Sequence, residues 1–172
     1  MPRNIEIKAH IDSVDTLVPL VAPLADHGPE LILQDDTFFV CPNGRLKLRA
    51  FPSGDGQLIF YARADQAGPK ESHYIISPTA EPDSLRAALT AAWGENGRVR
   101  KARTLFLVGR TRVHLDRVEG LGDFLELEVV LAQGEPAAAG VAEAHMLLGK
   151  LGVAPGQWID AAYVDLLRAA GA

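Results

Sequence analysis

Apolar and charged residues alternate along much of this chain with a period of two. Over residues 4–11, Asn4, Glu6, Lys8 and His10 share one parity and Ile5, Ile7, Ala9 and Ile11 the other. Successive side chains of a strand point to opposite faces, so this stretch predicts a strand with one charged and one apolar face. Ser13 then offers an N-cap, and Val14, Leu17, Val18, Val21 and Leu24 recur at helical spacing as far as about Asp26. Pro19 and Pro23 keep that helix short or irregular. Strands are predicted over 31–40 and 45–51, on either side of the turn Pro42-Asn43-Gly44. Further strands follow at 58–63, after the turn 52–56, and at 71–77, after the loop 65–70. Pro82 suits the first turn of a helix that runs to Trp93 and is stopped by Gly94. Strands at 98–108, 111–118 and 124–131 come next, and the alanine-rich tail from Pro136 predicts one helix to Leu151 and another over 160–169. With no repeat, low-complexity tract or linker to divide it, the chain reads as a single domain over 1–172.

These elements make an α+β chain of about eight strands in mostly antiparallel succession. A half-exposed sheet with its polar face in water would explain the alternation. It would not explain the composition of that face. Arg45-Leu-Lys47-Leu-Arg49 and Lys101-Ala-Arg103 are basic runs, and Glu126-Leu-Glu128 is an acidic one. An eight-stranded antiparallel β-barrel, its charged face lining a tunnel and its helices packed outside, accounts for both features. On alternation alone the two arrangements stay open.

Composition narrows the chemistry. The chain has 172 residues, 48% of them hydrophobic, a formal charge of −5 and a pI near 5.5. That balance disfavours nucleic acid as a partner. Cys41 is the single cysteine, so there is no internal disulfide and no thiolate zinc cluster, and no activating group stands beside it. The first residues do not form a signal peptide, and no apolar run approaches the roughly 20 residues of a membrane span. A cytoplasmic protein with no membrane partner is expected, and a homodimer is compatible with the sequence.

Two sets of charges remain. Glu6, Asp116, Glu126 and Glu128 offer hard oxygen ligands that suit Mg²⁺ or Mn²⁺, although an isolated Glu-x-Glu is more often a solvated surface pair. Lys8, Arg45, Lys47, Arg49, Arg63, Lys101, Arg103 and Arg112 would repel one another on one face unless they bind a polyanion such as a phosphate chain. Their bland counterpart is a surface salt-bridged to the acidic runs. His114 shares parity with Arg112 and Asp116 and is either a proton carrier or, more commonly for such a residue, a hydrogen-bonded structural histidine. Tyr61 and Tyr163 are ligand contacts or packed side chains, packing being the commoner case. The chain has neither a P-loop nor a Gly-x-Gly-x-x-Gly fingerprint.

Asn4-Ile-Glu6-Ile-Lys8 resembles the Glu-x-Glu-x-Lys signature of the CYTH superfamily, the triphosphate tunnel enzymes. The likeness continues in order through Asp36-Thr-Phe-Phe39, Gly44-Arg-Leu-Lys47-Leu-Arg49, Lys101-Ala-Arg103, Val113-His-Leu-Asp116, Gly120-Leu-Gly-Asp-Phe-Leu-Glu126-Leu-Glu128 and Tyr163-Val-Asp-Leu-Leu167. The Gly120–Glu128 segment is most similar to the class IV adenylyl cyclase branch. The resemblance implies the tunnel fold, with Mg²⁺ or Mn²⁺ held by Glu6, Asp116, Glu126 and Glu128. It implies a small-molecule triphosphate held by Lys8, Lys47, Arg49, Lys101 and Arg103, with Arg45, Arg63 and Arg112 beside them. Glu6, Lys8, Glu126 and Glu128 would carry the chemistry. The implied reaction is conversion of ATP to cyclic AMP and pyrophosphate. Alternatives are hydrolysis of thiamine triphosphate, inorganic triphosphate or a nucleoside triphosphate, and, in another class, a module that binds triphosphate or polyphosphate without turnover. Two positions depart from the pattern. Asn4 stands where the first signature glutamate belongs, and Arg63 or Lys70 must replace a lysine usual after the Arg-x-Arg hairpin.

Overall fold

The N-terminal strand is the seam of the fold. In the computed structural model, which describes residues 1–171, β1 (Arg3–His10) pairs antiparallel along its length with β8 (Gly122–Val130). Its other edge is shared. Arg3–Glu6 pair with β5 (Lys70–Thr79), and Lys8–Ala9 pair with the two-residue β9 (Trp158–Ile159). Between these come β2 (His27–Phe39), β3 (Arg45–Ala50), β4 (Gly56–Arg63), β6 (Glu95–Val108) and β7 (Thr111–Val118). The hydrogen-bonded order β5-β4-β3-β2-β6-β7-β8-β1, closed by β1 on β5, is an eight-stranded antiparallel barrel with β9 as a ninth strand at the seam. Closure leaves the eight ring strands no free sheet edge along their paired lengths and gives each strand an inside and an outside parity.

The outward parity of β1, β7 and β8 is apolar, and helices cover it. Ile5, Ile7, Val113, Leu115, Leu125 and Leu127 pack with Val14, Leu17 and Val21 of α1 (Val14–Val21) and with Ala144, Leu147 and Leu148 of α3 (Ala137–Lys150). Ser13 caps α1 by accepting from the Asp15 N–H at 3.0 Å, and Asp123 accepts from the Val14 N–H at 2.8 Å. Gly140 lets α3 lie close to the barrel, since a Cβ there would come within 2.6 Å of Ile5 Cγ1. The helix α2 (Pro82–Trp93) runs as the sequence predicts, with Pro82 in its first turn and Gly94 after its end. No helix among the described residues is long and apolar enough to cross a membrane.

A second apolar cluster closes one end of the barrel. Phe38, Val99, Val118 and Phe124 from the strands meet Ala162, Tyr163 and Val164 at the start of α4 (Tyr163–Ala169). Gly97 makes room for this plug, because a Cβ there would stand 2.4 Å from Val164 Cγ2.

The elements differ from the sequence reading in four places, the first being α1, which ends at Val21 and passes into a 3₁₀ turn at Ala22–Leu24. β2 starts at His27, since Gly28-Pro29 form an irregularity in a ladder with β6 and do not end it. β6 likewise begins at Glu95, straight after the Gly94 stop. In the tail, a 3₁₀ turn at Pro155–Gln157 and β9 precede α4, which starts at Tyr163; a strand of two residues is too short to show a period.

Candidate active site

The charged parity faces inward. Glu6, Lys8, Asp36, Arg49, Lys101, Arg103, His114 and Asp116 are all buried, which excludes the solvent-face arrangement. All but Asp116 line a cavity of about 240 Å³ to which all eight strands of the ring and the start of α4 contribute. The registers order its wall along the axis. At the plugged end lie Phe38, Val99 and Tyr163, with Lys8 and Arg63. Next come Glu6, Asp36, Lys47, Tyr61, Lys101 and Glu126. Then follow Asn4, Gln34, Arg49, Arg103, His114 and Glu128. The open end is rimmed by Ile32, Ile76 and Arg112.

Carboxylates brace two of the arginines. Arg49 Nε–H and Nη2–H donate to Asp36 at 2.8 Å each, and Lys47 Nζ stands 3.0 Å from the same carboxylate. Burial alone would raise the Asp36 pKa, but the adjacent Arg49 and Lys47 charges hold it well below the usual carboxylate range. Arg103 donates through Nε and Nη2 to Asp116 at 2.7 and 2.8 Å, and the Tyr163 hydroxyl donates to Asp116 Oδ2 at 2.8 Å. None of these bonds uses the Nη1 of either guanidinium. Their forks are therefore fixed in direction while part of each remains to bind a ligand.

The lysines are less well compensated. Lys8 Nζ lies 3.6 Å from Glu126 Oε2 and 4.0 Å above the Tyr163 ring. Lys101 lies 4.9 Å from that ring and has no ion-pair partner among the described residues. Burial lowers the pKa of both, and in Lys101 the neighbouring Arg103 lowers it further. Glu6 is paired with Arg63; burial raises its pKa, Arg63 offsets part of this, and Glu126 and Glu128 add to the rise. Glu126 behaves oppositely. Burial would raise it, but Lys8, His114 and Arg103 hold it well below the usual range.

Three side chains form a candidate metal centre. Ligand atoms of His114, Glu126 and Glu128 all lie within 4.8 Å of one another. His114 Nδ1 is buried 3.7 Å from Glu126 Oε1 with no hydrogen-bond partner among the described residues, and burial lowers the pKa of the ring. An orphaned imidazole nitrogen beside two carboxylates fits a divalent cation. Glu128 is also engaged by Arg112 at 2.6–2.7 Å.

Ten residues read from the sequence line the cavity: Glu6, Lys8, Lys47, Arg49, Arg63, Lys101, Arg103, Arg112, Glu126 and Glu128. Two do not. Asp116 has the right parity, but it sits behind Arg103, is 0% exposed and stands outside the three-residue metal group, with bonds from Arg103 and Tyr163 that make it a brace of the wall. Arg45 lies beyond the plug, bonded through both Nη atoms to Asp165 of α4 at 3.2 and 2.5 Å. Of Arg63 and Lys70, it is Arg63 that enters the wall; Lys70 Nζ donates to the carbonyls of Gln66 and Asp160 at 2.8 and 3.3 Å. Glu6 belongs to the wall but not to the three-residue metal group. His114 as a ligand, Asp36 as a brace and Gln34 as a wall residue went unassigned by the sequence. Gln34 and Asp36 do share parity with Ile32 and Phe38, but apolar residues fall on both parities of that strand.

Comparison with known proteins bears on the whole chain. The family described as CYTH domain matches residues 2–163. No curated protein matches the sequence. Among solved structures, the PH1012 protein from Pyrococcus horikoshii superposes with a TM-score of 0.85 at 20% identity, over 95% of this chain and 99% of that one. A candidate adenylate cyclase from Vibrio parahaemolyticus gives 0.76 at 20% identity, over 96% and 97%. A candidate adenylyl cyclase from Hippeastrum, described as having a dominant triphosphatase activity, gives 0.63 at 16% identity, over 99% and 96%. At these identities the likeness is one of fold.

Proposed function

The chain belongs to the CYTH domain family, and from that premise we propose that it is a metal-dependent enzyme acting on a small-molecule triphosphate inside the barrel. Its reaction is cyclisation of a nucleoside triphosphate with release of pyrophosphate, as in the class IV adenylyl cyclases. The observation that carries this reading is the charge of the wall. Seven cations (Lys8, Lys47, Arg49, Arg63, Lys101, Arg103 and Arg112) face four carboxylates (Glu6, Asp36, Glu126 and Glu128), and Lys101 is buried without an ion-pair partner among the described residues. A cavity of this size with that excess calls for a compact polyanion.

The order of groups along the axis supports attack at the α-phosphorus. Lys8, Lys47, Lys101 and Arg63 stand deeper than His114 and Glu128, so the terminal phosphates, entering first, occupy the ammonium-rich end. Those cations neutralise the departing pyrophosphate. The braced Arg49 and Arg103 hold non-bridging oxygens in a fixed orientation. We assign to Glu6, a wall carboxylate whose pKa burial raises, the role of accepting the proton of the attacking hydroxyl. Mg²⁺ or Mn²⁺ bound by His114, Glu126 and Glu128 would supply Lewis-acid polarisation of a phosphoryl oxygen. The imidazole in that set favours Mn²⁺ of the two.

The test is product identification by mass spectrometry after incubation with ATP, thiamine triphosphate and tripolyphosphate, each with Mg²⁺ and with Mn²⁺. Cyclic AMP and pyrophosphate from ATP are expected. Inorganic phosphate as the first product would replace cyclisation by hydrolysis. Tight binding with no product under any condition would leave a triphosphate-binding module.

A further inference from the structure

Asn4 and Gln34 sit on opposite walls of the cavity, on β1 and β2, with three strands between them in either direction around the ring. They are 3% and 6% exposed, and their carbonyl oxygens Oδ1 and Oε1 are buried without a hydrogen-bond partner among the described residues. A buried acceptor left unsatisfied costs stability, and two facing into one cavity call for a ligand with donors between them. Phosphate oxygens cannot fill that role, because they only accept. A hydroxyl can.

The position of these amides along the axis says which hydroxyls. Deeper than them lie the ammonium groups of Lys8, Lys47 and Lys101. Ile59 and Tyr74 share their level, and Ile32 and Ile76 stand toward the open end. From the plug outward the wall carries the ammonium groups, then the free acceptors beside Arg49 and Arg103, then an isoleucine rim that Arg112 shares. A nucleoside triphosphate has the same order of parts: phosphates, sugar, base. We propose that Asn4 and Gln34 are specificity-determining residues that accept hydrogen bonds from the sugar hydroxyls of a nucleoside triphosphate, whose base rests on Ile32 and Ile76 at the open end. This deepens the reading of the barrel as a triphosphate-processing site and rests on it. Tripolyphosphate, with no hydroxyl and no base, leaves both amides unsatisfied, and a site built to bond a hydroxyl discriminates strongly against a ligand that lacks it.

Isothermal titration in Mn²⁺ compares ATP, 2′-deoxy-ATP, 3′-deoxy-ATP and tripolyphosphate on the wild type and on the near-isosteric variants Asn4→Leu and Gln34→Met. The wild type should lose at least tenfold in affinity when the hydroxyl read by an amide is removed. In the variant lacking that amide, the ratio of ATP to the matching deoxynucleotide should fall to within twofold of one. The thermal midpoint of unliganded Gln34→Met should equal or exceed that of the wild type, because its acceptor has no partner to lose. Equal wild-type affinity for ATP and both deoxynucleotides would overturn the proposal. So would variants that weaken ATP and tripolyphosphate by the same factor, or an unliganded Gln34→Met that melts clearly lower, since these mark structural residues. Wild-type protein that binds none of the four triphosphates would remove the underlying reading of the site, whereas tight tripolyphosphate binding without hydroxyl discrimination would remove this inference alone.

Discussion

Asp116 and Arg103 form a sealed pair, two parallel N–H···O bonds at 2.7 and 2.8 Å between side chains that are 0% and 6% exposed. The carboxylate is spent on holding an arginine still. Asp116→Asn should therefore destabilise the fold by about 3–5 kcal/mol, since it leaves a buried guanidinium uncompensated. Mn²⁺ affinity at the His114–Glu126–Glu128 group should change less than twofold in the same variant. Chemical denaturation and metal titration on one preparation check both. A loss of metal affinity with stability intact would return Asp116 to the ligand set.

Glu126→Gln and Glu128→Gln should each lower metal-dependent turnover by about 100-fold or more while the fold survives, in line with removal of a group that positions charge at the reacting centre. Circular dichroism and a turnover assay titrated with Mn²⁺ check this. Both variants retaining wild-type rates would dispose of the metal assignment.

Arg49 and Arg45 share a parity and a strand but face different surroundings. Arg49→Ala should raise KM for a triphosphate by roughly 10-fold or more, as expected for loss of a charge-assisted bond, and should raise KM for a monophosphate far less. Arg45→Ala, which breaks only the link to Asp165, should leave the triphosphate KM within twofold. Initial-rate kinetics on the two variants decide the matter, and equal effects from both would mean that the plug does not separate them.

The buried lysines make both stability and binding depend on pH. Burial pushes the pKa of Lys8, Lys47 and Lys101 down from 10.5, and burial together with Arg63 pushes Lys70 down to about 8. Between these lowered values and 10.5 the unfolded chain binds more protons than the folded one, so the unliganded fold gains stability as pH rises through about 8 to 10. The gain is lost as pH falls through the folded-state values. A polyanion favours the ammonium forms, so tripolyphosphate binding at pH 9 should take up protons. Denaturation curves at pH 7, 8, 9 and 10, and titration in buffers of different ionisation enthalpy, measure the two effects. Stability falling over that range, or binding with no proton uptake, would contradict it.

Much of the barrel is legible in the alternation. The parity that puts Glu6 and Lys8 inside also puts Ile5 and Ile7 against α1 and α3, and one register error would have reversed both. Local pattern cannot show closure, because β1 meets β5 through residues far apart in sequence, such as Arg3 and His73. Nor can parity separate a wall residue from one behind it. Arg103 and Asp116 face the same way on adjacent strands, and only their pairing shows that one hides the other. Arg45 is a related case: its parity matches Lys47 and Arg49, but α4, remote in sequence, meets it through Asp165. His114 looked ordinary because a single histidine carries no spacing signal. Its significance comes from two glutamates on the neighbouring strand and from a nitrogen that nothing bonds.

The packing of Val164 and Tyr163 against Gly97, Phe38 and Val99 has a kinetic corollary. A sleeve stoppered at one end works as last in, first out. Whatever fragment is lodged beside Lys8 and Lys101 cannot depart until the fragment nearer the rim has gone, unless α4 swings aside. In the proposed cyclisation, release order would thereby be written into the shape of the chamber, with the more highly charged piece leaving second.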